Sequence, residues 1–182
     1  MTDKIKILAI SGSIRQGSSN HLLIEAIAKL FESKLEITLF ESLSELPHFS
    51  PDFNDDNTPT QVTAFRQQLC NADGVLICTP EYAHGVPGSL KNAIDWTVAS
   101  AEFSHKPTVL ITASTDGRFG HQALLETLKV IEAENIESLQ LLIQFVRTKI
   151  GADKQIKDEK VLDDVTQLIH RFINTIIEKN NS

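Results

Sequence analysis

Short apolar runs alternate along the chain with segments whose apolar residues recur every three or four positions. Residues 5–10, IKILAI, form the first run and read as a buried strand. From Ser19 onward, Leu22, Leu23, Ala26, Ile27 and Leu30 fall on one helical face. Residues 35–40 are the second strand, and a turn-rich stretch with Pro47, Pro51 and Pro59 follows. Val62, Phe65, Arg66 and Leu69 predict a second helix, with Thr58 as its candidate cap and Pro59 in its first turn. GVLICT at 74–79 is the third strand, residues 90–100 the third helix and PTVLITA at 107–113 the fourth strand. A helix over about 121–132, a strand or extended edge within 136–145 and an amphipathic helix over 161–177 complete the pattern.

Strands and helices alternate strictly, and the first, third and fourth strands are nearly continuous apolar runs. That combination predicts an α/β fold with a parallel sheet covered by helices on both faces. No linker or composition break divides the chain, so a single domain over 1–182 is expected. In such sheets ligands bind beyond the carboxyl ends of the strands, where the winding direction reverses. Three loops rich in glycine and serine follow strands one, three and four, and they should meet at that edge.

Composition narrows the function. The 182 residues are 41% hydrophobic, as for an ordinary soluble globular protein. The net charge is -7 and the basic residues are scattered, which argues against nucleic acid. Cys70 and Cys78 form neither a CxxC pair nor a disulfide framework, so a reducing, cytoplasmic setting is expected. The N-terminus turns polar at once, unlike a signal peptide, and no window has the length for a membrane span. The six histidines lack metal-ligand spacing, so no metal is expected, and Asp52, Asp55 and Asp56 read as a solvated loop.

The first loop, SGSIRQGSSN, holds Ser11, Ser13, Arg15, Ser18, Ser19 and Asn20. Small side chains let backbone N–H groups approach an anion, hydroxyls and the next helix start add donors, and Arg15 adds charge. The plainer reading is a turn with Ser18, Ser19 or Asn20 as the helix cap. The loop is neither a Walker A sequence nor GxGxxG. The second loop, PEYAHGVPGSLKNAIDW from residue 80, and the third, STDGRFG from residue 114, have the same strand-to-helix placement.

GSIRQGSSN resembles the GSxRxxSxN loop of the NADPH-dependent FMN reductase family, matching at Gly12, Ser13, Arg15, Ser18 and Asn20. Residues 80–96 are similar to its PEYNxxxPGxLKNAxDW segment, with Ala83 where many members have asparagine. The resemblance implies a flavodoxin-like five-stranded sheet in the order 2-1-3-4-5. It implies FMN as cofactor and NADPH or NADH as co-substrate. The first loop would hold the FMN phosphate. Pro80, Glu81, Tyr82, Ala83, His84 and Gly85 would line the isoalloxazine, with Ser114 and Gly117 beside it.

No side chain need act as catalytic acid or base, since the flavin carries the electron chemistry. The resemblance implies ping-pong transfer to a quinone, azo compound, metal oxyanion or flavin, and a homodimer or homotetramer. A flavodoxin-like carrier without NAD(P)H oxidase activity is the alternative, and a flavin-free binding module a third. Individual residues keep two readings. Tyr82 stacks or packs. His84 donates protons or faces solvent. Glu81 caps a helix or meets a partner, and Ile94 and Trp96 belong to the core or to a subunit interface. Arg118 meets a nucleotide phosphate or sits on the surface, and Lys129 is the nearest cation in the following helix.

Overall fold

A computed structural model describes residues 4–53 and 57–181. Asp55 and Asp56 of the acidic cluster lie outside the described residues. The strands are β1 (Ile5–Ser11), β2 (Leu35–Leu39), β3 (Gly74–Thr79), β4 (Thr108–Ala113) and β5 (Gln140–Ile143). The helices are α1 (Ser19–Leu30), α2 (Thr60–Asn71), α3 (Gly88–Asp95), α4 (Arg118–Val130) and α5 (Glu159–Asn180). All strand pairs are parallel and the order is β2-β1-β3-β4-β5, as the flavodoxin-like expectation has it.

Side chains alternate across the sheet, and each face builds its own core. Ile7, Ala9, Leu76 and Cys78 meet Leu23, Ile27, Leu168 and Phe172 of α1 and α5. Leu8, Ile10, Val75 and Ile77 meet Phe65, Leu90 and Leu124 of α2, α3 and α4. This two-sided burial is why β3 and β4 carry no solvent-facing position. Ser11 pairs with Cys78, Thr79 with Thr112 and Ala113 with Ile143, so the strands end nearly level. The winding reverses between β1 and β3, which places a crevice above their ends.

Several boundaries differ from expectation for local reasons. Helix α2 is capped by Pro59, not Thr58; the Pro59 carbonyl accepts N–H bonds from Val62 and Thr63. Helix α3 stops at Asp95 rather than residue 100. There the Thr97 hydroxyl donates to the Ile94 carbonyl at 2.7 Å, competing with helical bonding. Gly117, at φ 91°, turns the chain into α4 three residues early. Strand β5 is shorter than expected because residues 135–139 form a turn closed onto the Asn135 carbonyl.

Ile94 and Trp96 belong to the core of the single chain, at 1% and 2% exposure, as does Ala93. The Trp96 indole N–H donates to the Pro47 carbonyl at 2.8 Å, and Phe49 and Phe53 pack on its ring. These buried residues are therefore not available as an interface with another subunit.

Candidate functional site

The loop after β1 is held from within. The Gly12 N–H donates to the Cys78 carbonyl at 2.9 Å, extending the β1–β3 ladder past the strand end. The Ser11 hydroxyl donates to the Ser13 carbonyl at 3.0 Å and accepts from the Ser13 N–H at 3.2 Å. Ser11 therefore shapes the turn and does not line the cleft beyond it. Gly17 has φ 63°, which glycine adopts without side-chain strain. Ser18 is the cap of α1, its Oγ accepting from the His21 N–H at 3.2 Å.

Asn20 is 3% exposed and works inward. Its Nδ2 donates to the Ala113 carbonyl at 3.3 Å, and its Oδ1 accepts from the Cys78 thiol at 3.2 Å. Three elements are thus tied together: the start of α1, the end of β3 and the end of β4. Burial pushes the Cys78 thiol well above its ordinary pKa, so it donates as a neutral group.

The second loop is a tight hairpin. Tyr82 and Gly85 exchange N–H to carbonyl bonds at 3.0 and 2.9 Å, and between them Ala83 and His84 take φ 48° and 57°. Positive φ at both central residues is a type I′ turn, a geometry that favours asparagine and glycine over alanine. The Glu81 N–H donates to the Ser114 hydroxyl at 3.2 Å. Pro80 has no N–H, so within 80–85 the unspent backbone donors are those of Ala83 and His84, at the hairpin tip.

Glu81 is the helix-capping carboxylate. Its Oε2 accepts from the Gly120 N–H at 2.6 Å in the first turn of α4, where the helix dipole favours negative charge. A Cβ at Gly120 would lie 3.0 Å from the Gly85 carbonyl oxygen, so α4 and the hairpin are in close contact. At Gly85 itself a Cβ would make only ordinary contact, so this chain's own packing does not demand glycine there. His84 is exposed, its ring 4.5 Å from that of Phe119.

The third loop is equally fixed. A Cβ at Gly117 would meet Leu142 at 2.8 Å and Thr112 at 3.1 Å. Arg118 pairs with Asp116 through Nε at 2.8 Å and Nη2 at 2.9 Å, which holds the Asp116 carboxyl below its ordinary pKa. His121 sits between Thr112 and Gln140 at 2.8 and 2.7 Å, and burial lowers its pKa. Lys129 pairs with Glu126 and Glu137 near the other end of α4, and does not line the cleft.

These loops bound an open cleft of about 210 Å³. Of the expected residues it brings together Ser13, Arg15, Ser18, Ser19, Asn20, Pro80, Glu81, Tyr82 and Ser114. It does not include Ser11, Ala83, His84, Gly85 or Gly117; these support the loops or stand on the adjoining rim. Ala113, Thr115, Val146 and Arg147 line it as well; the Thr115 hydroxyl was legible beside Ser114, whereas sequence reasoning missed Val146 and Arg147. Thr115 lay within the third loop, but Arg147 follows β5, beyond any motif match. The Tyr82 hydroxyl lies 3.5 Å from the Ser13 hydroxyl and links the first two loops.

The donor set fits a phosphate monoester: hydroxyls, the start of α1 and a guanidinium face one space, with the one lining carboxylate already engaged by Gly120. The neighbouring hairpin adds an exposed aromatic ring and two unspent N–H groups, which suit a flat heteroaromatic group. Among the described residues no three His, Cys, Asp or Glu side chains gather to hold a metal, and no helix is long and apolar enough to cross a membrane.

Comparison with known proteins agrees with this chemistry. The chain is 34% identical over 173 residues to the NAD(P)H-dependent FMN reductase of Pseudomonas aeruginosa, covering 92% of each. It is 29% identical over 180 residues to a quinone reductase of Escherichia coli, covering 94% of this chain and 95% of that one. It is also similar to a solved flavoenzyme, the NAD(P)H:(acceptor) oxidoreductase of Paracoccus denitrificans. The TM-score is 0.76 at 26% identity, covering 96% and 98% of the two chains. The family model for NADPH-dependent FMN reductases matches residues 5–147, and the chain belongs to that family.

Proposed function

We propose that the chain is an FMN-dependent oxidoreductase of ping-pong type acting on small acceptors, quinones first among them. Bound in the cleft, FMN would supply the hydride and electron chemistry that links NADPH or NADH to a quinone, azo compound, metal oxyanion or second flavin. The single observation that carries the reading is the cleft at the β1/β3 crevice, where Arg15 and the serine hydroxyls adjoin the exposed Tyr82 hairpin.

In this reading Ser13, Arg15, Ser18 and Ser19 hold the 5′-phosphate. Asn20, Ser11 and Gly117 keep the loops in place. Pro80 and Tyr82 support the ring with Ser114 beside them, and the N–H groups of Ala83 and His84 are the donors left for its polar edge. Glu81 acts through α4, whose first turn it anchors beside the hairpin. The His84 imidazole stands on the rim against Phe119 and moves no proton.

Quinone reductase of Escherichia coli among the relatives supports the acceptor class. A homodimer or homotetramer and a cytoplasmic location belong to the same proposal. The exposed Tyr82, Phe119 and Phe145 offer apolar surface for assembly, in place of the buried Trp96. Light scattering at or above twice the 20.2 kDa chain mass is the expected result, and a monomer contradicts that part.

Steady-state kinetics test the mechanism. With NADPH and a benzoquinone varied together, double-reciprocal plots should be parallel; intersecting lines contradict the ping-pong cycle. His84→Ala should retain most of the wild-type kcat/KM. A loss of about 100-fold or more at full flavin loading would make the imidazole a participant in proton transfer.

A further inference from the structure

Arg147 reaches the cleft from the β5 side and lies outside the motifs that define the first two loops. The chain turns into it at Phe145, whose φ is 53°. That turn is fixed to the end of β4. The N–H groups of Phe145 and Val146 donate to the carbonyls of Thr115 and Ser114, each at 3.1 Å. Val146 is buried in the core, so the arginine stands on a fixed mount.

Its electrostatic setting matches that of Arg15. Arg66 bonds the Trp96 carbonyl and lies 3.7 Å from Glu102, and Arg118 pairs with Asp116. Among the described residues, the guanidinium groups of Arg15, Arg147 and Arg171 have no such partner in the chain, and of these three Arg171 does not line the cleft. Arg15 and Arg147 line one cleft, among serine hydroxyls. Its one lining carboxylate, Glu81, is turned to the Gly120 N–H. A chain of net charge -7 thus keeps two uncompensated cations facing one hydroxyl-lined space, an arrangement suited to a dianion.

We propose that Arg147 is a second phosphate-binding residue, closing on the FMN 5′-phosphate from the β5 side while Arg15 holds it from the β1 side. The inference rests on the FMN reading above. A competing source of the same chemistry is the 2′-phosphate of NADPH.

The test is fluorescence titration of the flavin-stripped full-length chain with FMN and with riboflavin. Arg147→Ala should weaken FMN about 10-fold and riboflavin less than about twofold, because riboflavin lacks the phosphate. Arg147→Lys should recover part of the loss, keeping the charge but not the forked donors. In the double variant with Arg15→Ala the losses should combine non-additively, since both residues address one group.

Equal weakening of both flavins, or of neither, overturns the proposal. So does an unchanged FMN preference accompanied by a lost preference for NADPH over NADH. If Arg15→Ala abolishes the FMN preference and Arg147→Ala leaves it, the proposal alone falls. If the parent chain itself fails to prefer FMN over riboflavin, the phosphate reading of the cleft falls with it.

Discussion

A Gly12→Val chain is expected to melt roughly 2–12 °C below the parent and to lose flavin affinity. A Cβ at Gly12 would run into Oγ1 and Cβ of Thr79, with Leu90 Cδ2 at 3.1 Å behind. Thr79 is 1% exposed and paired with Thr112 of β4, so it has little room to yield. Gly12 is itself held by its N–H bond to Cys78. Relief requires parting the ends of β1 and β3, the crevice on which the site is built. Overpacking of this kind costs about 1–3 kcal/mol, and in a chain of this length each kcal/mol lowers Tm by about 2–4 °C. Gly88→Ala is the control. A Cβ there meets nothing within 4 Å, so its melting curve should overlie the parent's. Thermal unfolding of the two variants side by side checks the argument, and an unshifted Gly12→Val curve contradicts it.

Removal of the Arg15 guanidinium should give the larger loss in cofactor recognition. Arg15 is exposed, lines the cleft and carries no ion pair among the described residues, so its replacement leaves no stranded partner in the fold. The cost should therefore appear in binding and not in Tm. A hydrogen bond to a charged group contributes about 1.5–3 kcal/mol, or about 10- to 150-fold in affinity. Arg15→Ala should weaken FMN by that factor in a fluorescence titration and leave riboflavin nearly unchanged. Equal losses for both flavins would mean that Arg15 acts on the ring or on the fold.

The sheet was legible because its evidence is local. β3 and β4 are apolar at nearly every position, and the helices keep their spacing. The first two loops were legible because each is contiguous in sequence. What escaped was set by distant partners. Asn20 looks like one more polar residue in a polar loop, but its two bonds reach Cys78 and Ala113, 58 and 93 positions away. Arg147 becomes part of the site through a left-handed turn at Phe145, where neither glycine nor asparagine announces one. Gly85 and Gly117 look alike in sequence. A Cβ at Gly117 would collide with Leu142, whereas one at Gly85 would find room. The helix expected over 90–100 ends at Asp95, where the Thr97 hydroxyl bonds the Ile94 carbonyl and the Trp96 indole bonds the distant Pro47 carbonyl.

In the proposed function this cleft holds FMN and presents it to a nicotinamide donor. The most direct test is an anaerobic mixing experiment on the purified, flavin-loaded full-length chain. NADPH or NADH should bleach the visible flavin band before any acceptor is present, and a benzoquinone added afterwards should restore it. A loaded chain whose flavin stays oxidised with both nucleotides would contradict the account and leave an electron carrier of flavodoxin type in its place.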